Sequence, residues 1–166
     1  MKYPALTELR TLAKKATAQN NELIKKLKKK TPKDLDIVVS ELHETAFEEY
    51  DCLKCGNCCK SLGPRITDRD IEQVAKNLRI RPAGFVEKYL RIDEDNDYVF
   101  QSMPCPFIGQ DNYCHIYSNR PKACREYPHT DRKKFYQLLD LSLKNTETCP
   151  IVFTIFEELK KKYLQD

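Results

Sequence analysis

Cys52, Cys55, Cys58 and Cys59 fall within eight consecutive residues, and no other feature of the 166-residue chain limits its fold as strongly. The string C-x2-C-x2-C-C lets a single turn bring two sulfurs to one ion, with backbone N–H groups pointing at them. Three or four thiolates packed this tightly repel one another strongly unless a cation stabilises their charge. Such spacing is common at zinc and iron–sulfur sites and rare by chance. Gly56, inside the string, permits the sharp turn that a compact loop needs. Cys58 and Cys59 are adjacent and cannot easily send their side chains the same way, so one of them faces a different metal or is buried without ligating.

Four further cysteines follow at wider spacing: x45 to Cys105, x8 to Cys114, x9 to Cys124 and x24 to Cys149. Each is a weak signal alone, and together they bring the count to eight. Two sites of four thiolates is the simplest arithmetic, with the grouping of sulfurs left open. Disulfides are the poorer reading. The opening MKYPALTELR leads to Lys14 and Lys15 where a secretory signal would need an apolar stretch, so the expected compartment is the reducing cytoplasm. The chain has no run of about 18 apolar residues, its mean hydropathy is -0.67 and 33% of it is charged, so no membrane span is expected.

Charge is unevenly placed. Residues 1–33 hold ten lysines and arginines against Glu8 and Glu22, a net of +8, which leaves -4 for the rest of a chain whose total is +4. Leu6, Leu9, Leu12, Ala13 and Ala16, then Leu23, Ile24 and Leu27, recur at helical spacing and predict a helix over about 6–29. Thr31 as N-cap with Pro32 after it predicts a second helix to about Glu49, burying Leu35, Val38, Val39, Leu42 and Ala46. A capping-box pattern at Thr67 and Asp70 opens a helix over about 68–78, and Pro82 opens another to about Leu90. Tyr98–Ser102 is the best strand candidate, Gly109–Asn112 suggests a hairpin turn, and 134–141 is ambiguous between strand and helix. Ile151, Val152, Ile155, Phe156 and Leu159 define a C-terminal amphipathic helix. The fold expected is mainly α with small irregular β content: a metal-stapled cysteine-rich module over residues 50–166, including its C-terminal helix, preceded by an N-terminal helical hairpin over residues 1–49. The module's long, weakly patterned connections do not obviously bury enough apolar surface alone, so ligation energy would become folding energy.

The segment Cys52-Leu-Lys-Cys55-Gly56-Asn-Cys58-Cys59, the helix start Thr67-Asp68-Arg69-Asp70-Ile71 and the phrase Pro104-Cys105-Pro106-Phe107 form one part of a wider pattern. The rest is Cys114-His-Ile116-Tyr117-Ser-Asn-Arg120-Pro121-Lys-Ala-Cys124-Arg125-Glu-Tyr127-Pro128. Together these resemble the YkgJ-type cysteine-cluster family over roughly residues 50–150. The resemblance implies a zinc- or iron-chelating domain and, for most members, no settled activity. The same cysteine signature occurs in flagellin lysine N-methylases, which are larger proteins.

Arg120 and Arg125 fit a thiolate site physically: four thiolates on divalent zinc leave a charge of -2, and a guanidinium has fixed N–H donors to offset it. The competing reading is an ordinary salt bridge to Glu126 or another acid. Tyr117 and Tyr127 read as core aromatics, His115 as a substitute ligand of lower weight, and His43 and His129 as solvated or hydrogen-bonded. Zinc would use complete sets of four cysteines. An iron–sulfur cluster would use Cys52, Cys55, Cys58 and a remote Cys–Pro, either Cys105 or Cys149. The two metals weigh equally.

A non-catalytic metal-chelating protein is the first functional reading. An iron–sulfur-dependent enzyme or enzyme subunit, for redox or methyl transfer, is the alternative, and exchangeable metal storage or delivery is a third. Four glycines without a G-x-G pattern and no second domain argue against a stand-alone S-adenosylmethionine methylase, and no catalytic Ser/His/Asp or paired-carboxylate constellation is identifiable. The lysine-rich arm reads as a solvated helix end rather than a nucleic-acid site. The apolar stripes of the N-terminal helices are expected to cover the module or to dock a protein partner or a second copy of the chain.

Overall fold

Leu9, Ala13, Leu23, Ile24 and Leu27 are buried along one side of a helix that starts at Leu6 and ends at Lys29, as the spacing of apolar residues requires. The computed structural model describes residues 1–164. In chain order its elements are α1 (Leu6–Lys29), α2 (Leu35–Glu49), α3 (Cys52–Cys55), α4 (Asn57–Ser61), α5 (Asp68–Leu78), α6 (Pro82–Tyr89), β1 (Leu90–Ile92), β2 (Tyr98–Phe100), α7 (Lys122–Glu126), α8 (Leu139–Asn145) and α9 (Pro150–Tyr163). Short 3-10 turns lie at Tyr117–Asn119 and Phe135–Leu138. The protein is thus mainly helical, with one two-stranded antiparallel sheet, β1 paired with β2. Among the described residues, no helix is long and apolar enough to cross a membrane.

Packing divides the chain into two units: residues 1–51 with the chain from Pro128 onward, and Cys52–Tyr127. In the first unit α9 packs against both α1 and α2. Its Ile151, Val152, Ile155, Phe156 and Leu159 are all buried, and each such side chain contributes about 1.5–3 kcal/mol of hydrophobic stabilisation. Compactness therefore groups α9 with the N-terminal helices, where chain order alone groups it with the cysteines.

The start of α2 departs from expectation. Thr31 Oγ1 donates back to the Leu27 carbonyl at 3.0 Å, which closes α1, and the N-cap of α2 is Asp34. Asp34 does not cap with its side chain. Its carboxylate accepts from Tyr163 at 3.1 Å and pairs with Lys162 at 3.0 Å, both at the end of α9. The ambiguous stretch near 134–141 is helical, because Asp36 on α2 accepts from the backbone N–H groups of Lys134 at 2.7 Å and Phe135 at 2.9 Å. That carboxylate takes two donors at the head of the 3-10 turn that leads into α8, and it anchors fully buried Phe135 and Leu139.

The second unit has its own core of Ile66, Ile71, Val74, Ala75, Phe85, Leu90, Phe100, Phe107 and Ile116. Phe107 sits among Phe85, Tyr89 and Phe100 at ring distances of 6.2, 5.0 and 5.8 Å. The cysteine-bearing segment thus buries an apolar core of its own. The capping box at Thr67 and Asp70 is present: Asp70 N donates to Thr67 Oγ1 at 3.2 Å, and Thr67 N donates to Asp70 Oδ2 at 3.0 Å. The expected hairpin around Gly109–Asn112 contracts to a single bridge between Ile108 and Cys114, and β1 was not expected.

Asp36→Ala should lower the stability of the first unit by about 1–2 kcal/mol, since two backbone donors lose their acceptor. Hydrogen exchange should show the loss first at Phe135 and along α8. A protection pattern unchanged there would assign the α2–α8 link to other groups.

Candidate metal centre

Three stretches of the second unit bring thiols together, and the backbone ties between them explain how. The C-x2-C string folds as two one-turn helices, α3 and α4, broken at Gly56. Gly56 has φ of 57° and ψ of 8°, the left-handed conformation that side chains resist, and its N–H closes α3 by donating to the Cys52 carbonyl at 3.0 Å. Space also requires glycine there: a Cβ would stand 2.9 Å from Asn112 Cβ and 3.1 Å from Ile108 Cδ1. Asn112 in turn donates from Nδ2 to the Lys54 carbonyl at 2.7 Å. The Ile108–Cys114 turn is therefore clamped onto the C-x2-C string.

A second tie holds the Cys105 loop: Cys105 N–H donates to the Cys59 carbonyl at 2.9 Å. The N–H groups of Phe107 and Ile108 are directed at the Cys105 sulfur, and that of Ile116 at the Cys114 sulfur. This is the local geometry that favours ligating thiolates. A third tie places Cys124. Asp70 Oδ1 accepts from the Lys122 N–H at 2.8 Å, fastening the start of α7 to the start of α5. Asp70 is buried, which pushes its carboxyl up. Hydrogen bonds from Thr67 and from backbone N–H groups, with the charge of Arg125, outweigh this and hold it below the ordinary value of 3.8.

Electrostatics shows which sulfurs are neighbours. Cys59 is affected first by its hydrogen bond with Cys58, whose Sγ lies 4.0 Å away; burial opposes, the charges of Arg120 and Lys60 assist, and the thiol falls to about 7. Burial pushes Cys105 up to about 11, and the charges of Cys59 and Cys114 add to the shift. Burial likewise raises Cys114, with Cys59 adding and Arg120 opposing. Cys124 rises to about 12 through burial and then through Cys105, Cys59 and Cys114, again opposed by Arg120. Cys59, Cys105, Cys114 and Cys124 thus share one electrostatic neighbourhood with one guanidinium in it.

The remaining cysteines have different settings. Cys52 is exposed at the start of α3, Cys55 half-buried at its end, and Cys149 is in the first unit, buried at the N-cap of α9. The cysteines form no disulfide among the described residues. Among the described residues, no group of three or more Cys, His, Asp or Glu side chains is placed so that it could hold a metal ion. His115 is exposed beside Gly109, and His43 in the first unit shares a hydrogen bond of 2.7 Å with Thr130.

The two arginines part company. Arg125 donates to the Arg120 carbonyl and lends its charge to Asp70. Arg120 lies with its Cζ 3.6 Å from the centre of the Tyr117 ring, and its Nε is buried with no hydrogen-bond partner. Sequence reasoning missed the tie from Asp70 to Lys122, the Asn112 clamp and the platform role of Tyr117. The capping-box aspartate was the only one of these with a visible signal.

The donor set fits a thiophilic cation: clustered sulfurs, N–H groups aimed at two of them, and a buried guanidinium donor beside them. Cysteine-rich chelating domains are the class these features define. The profile of the CxxCxxCC family, described as a "putative zinc- or iron-chelating domain", matches residues 51–150, and the chain belongs to that family. No curated protein and no solved structure matches it.

Gly56→Ala should destabilise the second unit by about 1–3 kcal/mol, from the left-handed backbone and the contact with Asn112 together. Urea unfolding would measure it, and a loss under 0.5 kcal/mol would mean that the clamp yields freely. The thiols also set a pH dependence. Cys59 has a lowered value, so its contribution to stability is present above the ordinary 9.0 and lost as pH falls through about 7. Cys105 and Cys124 have raised values, so theirs is present below 9.0 and lost as pH rises through about 11 and 12. The metal-free, reduced protein should gain melting temperature from pH 7 towards 9 and lose it above, with a shallower descent in Cys124→Ser. Equal descent in both proteins would remove Cys124 from the buried group.

Proposed function

We propose that this protein is a thiolate metal chelator in which Cys59, Cys105, Cys114 and Cys124 form the central ligand set. Cys52, Cys55 and Cys58 extend it from the two short helices. The observation that carries this reading is that backbone ties bring cysteine-bearing segments far apart in sequence together, Cys105 N–H donating to the Cys59 carbonyl at 2.9 Å with Cys58 Sγ 4.0 Å from Cys59 Sγ, within the stretch that the chelating-domain family matches. Sulfurs buried together as neutral thiols gain little. As thiolates they repel, and a bound cation turns that repulsion into ligation.

Each part of the chain has a task in this reading. The N–H groups of Phe107, Ile108 and Ile116 stabilise charge on Cys105 and Cys114. Asp70 holds α7 so that Cys124 meets the others, and the Asn112 clamp keeps the C-x2-C string against the Ile108–Cys114 turn. Zinc would supply a closed tetrahedral centre without redox chemistry, whereas an iron–sulfur cluster would supply a one-electron couple.

Anaerobic purification followed by elemental analysis and visible spectroscopy tests the reading. At least one zinc or iron per chain is expected, with loss of most of it in a Cys59→Ser, Cys124→Ser double variant. Visible charge-transfer absorption marks iron–sulfur and its absence with stoichiometric zinc marks zinc. Metal well below one per chain, with every thiol freely titratable, would overturn it.

A further inference from the structure

Cys114, Tyr117 and Arg120 are spaced three apart on successive tight turns: Tyr117 N–H donates to the Cys114 carbonyl at 3.1 Å, and Arg120 N–H to the Tyr117 carbonyl at 3.4 Å. These two turns tie the backbone of Arg120 through Tyr117 to Cys114. The Arg120 guanidinium is stacked on the Tyr117 ring at 3.6 Å, which fixes its plane. Its backbone is fixed as well, because Arg125 donates to its carbonyl. Arg120 makes no ion pair with an acid among the described salt bridges, and its Nε–H is buried without an acceptor.

A buried donor with no acceptor is costly and calls for an explanation. Lysine would serve an exposed charge as well. A planar fork laid on an aromatic face suits directed donation to a charged acceptor at a set position. The charge of this guanidinium acts on Cys59, Cys114 and Cys124.

We propose that Arg120 is the built-in counter-ion of the thiolate centre, a positioning residue whose buried Nε–H is held by the Tyr117 ring for donation to a ligated sulfur. The inference rests on the metal-chelating reading above. In the metal-free protein the donor has no anion to meet. When the thiols give up their protons to ligation, the guanidinium offsets one unit of the resulting negative charge and holds the sulfur it reaches in one orientation. Lys60, exposed and also felt by Cys59, has the same charge without the platform and makes a natural control.

The test loads the reduced full-length protein with cobalt(II), whose thiolate charge-transfer and ligand-field bands report the ligands, and measures affinity by competition with a chelator. Wild-type protein that takes up no cobalt, zinc or iron overturns the chelating reading and this inference with it. If it loads, Arg120→Gln should still bind through the cysteines but about 10- to 100-fold more weakly, with shifted thiolate bands. Lys60→Gln, with the same change in net charge, should stay within about threefold of wild type by surface screening. Tyr117→Phe should bind as wild type does, and Tyr117→Leu should lose part of the affinity that Arg120→Gln loses. Equal affinity and an unchanged spectrum in Arg120→Gln would overturn the inference while leaving the chelating reading intact. If that variant fails to fold, the Tyr117 pair decides: equal binding by Phe and Leu overturns the proposal.

Discussion

Thiols buried beside an apolar core are the constraint on which the cysteine-bearing half of this protein depends. Its second unit folds around Phe107 and the inner faces of α5 and α6, and it packs the Cys105 and Cys114 side chains against that core. Sulfurs in such a place must remain protonated, share their charge with a cation, or be held apart. The backbone does not hold them apart. Cys105 N–H is bonded to Cys59, α7 is fastened to α5 through Asp70, and the turn at Asn112 grips the carbonyl of Lys54. These ties fasten the cysteine-bearing segments to one another and to α5. Apolar packing and backbone hydrogen bonds thus assemble the cysteine-bearing segments of this unit.

Sequence made the local features legible and the long-range ones obscure, and the difference is physical. Thr67 and Asp70 announce a helix start because both partners of the box lie three residues apart, and Gly56 announces a turn because no other residue accepts its conformation easily. The apolar faces of α1, α5 and α9 follow from spacing alone. Thr31 misled because its hydroxyl had two uses, closing the helix before it or capping the one after it, and composition does not choose between them. The stretch after Lys134 was ambiguous because Asp36, 98 residues earlier, caps it. Of the site, the residue types were legible and their grouping was not. Cys59 and Cys105 are joined across 45 intervening residues by a backbone bond that leaves no mark on either side chain. Arg120 and Arg125 look alike in sequence, and only the stacked ring of Tyr117 distinguishes them.

The two units also differ in how they use charge. The first is lysine-rich and binds its elements at the rim with pairs such as Lys28 to Asp140 at 2.6 Å and Lys162 to Asp34 at 3.0 Å. Exposed pairs of this kind contribute about 0–1 kcal/mol each, so they orient helices whose hold comes from the apolar stripe. In the second unit the Asp70 carboxylate is buried among backbone donors, and Nε of Arg120 is buried with its guanidinium stacked on the Tyr117 ring. Burial raises the worth of each partner and the cost of its loss.

The order in which a ribosome would deliver these pieces follows from the packing of α9 on α1 and α2. Both early helices emerge with their apolar stripes complete, and the helix that covers them is translated well after both. At roughly 5–20 residues per second, the wait between the end of α2 and the end of α9 lasts on the order of 6–25 seconds. All of the cysteines appear during that wait. The second unit therefore has time to collapse while α1 and α2 still wait for α9, and a nascent chain stopped before Pro150 would leave those stripes for chaperones to hold.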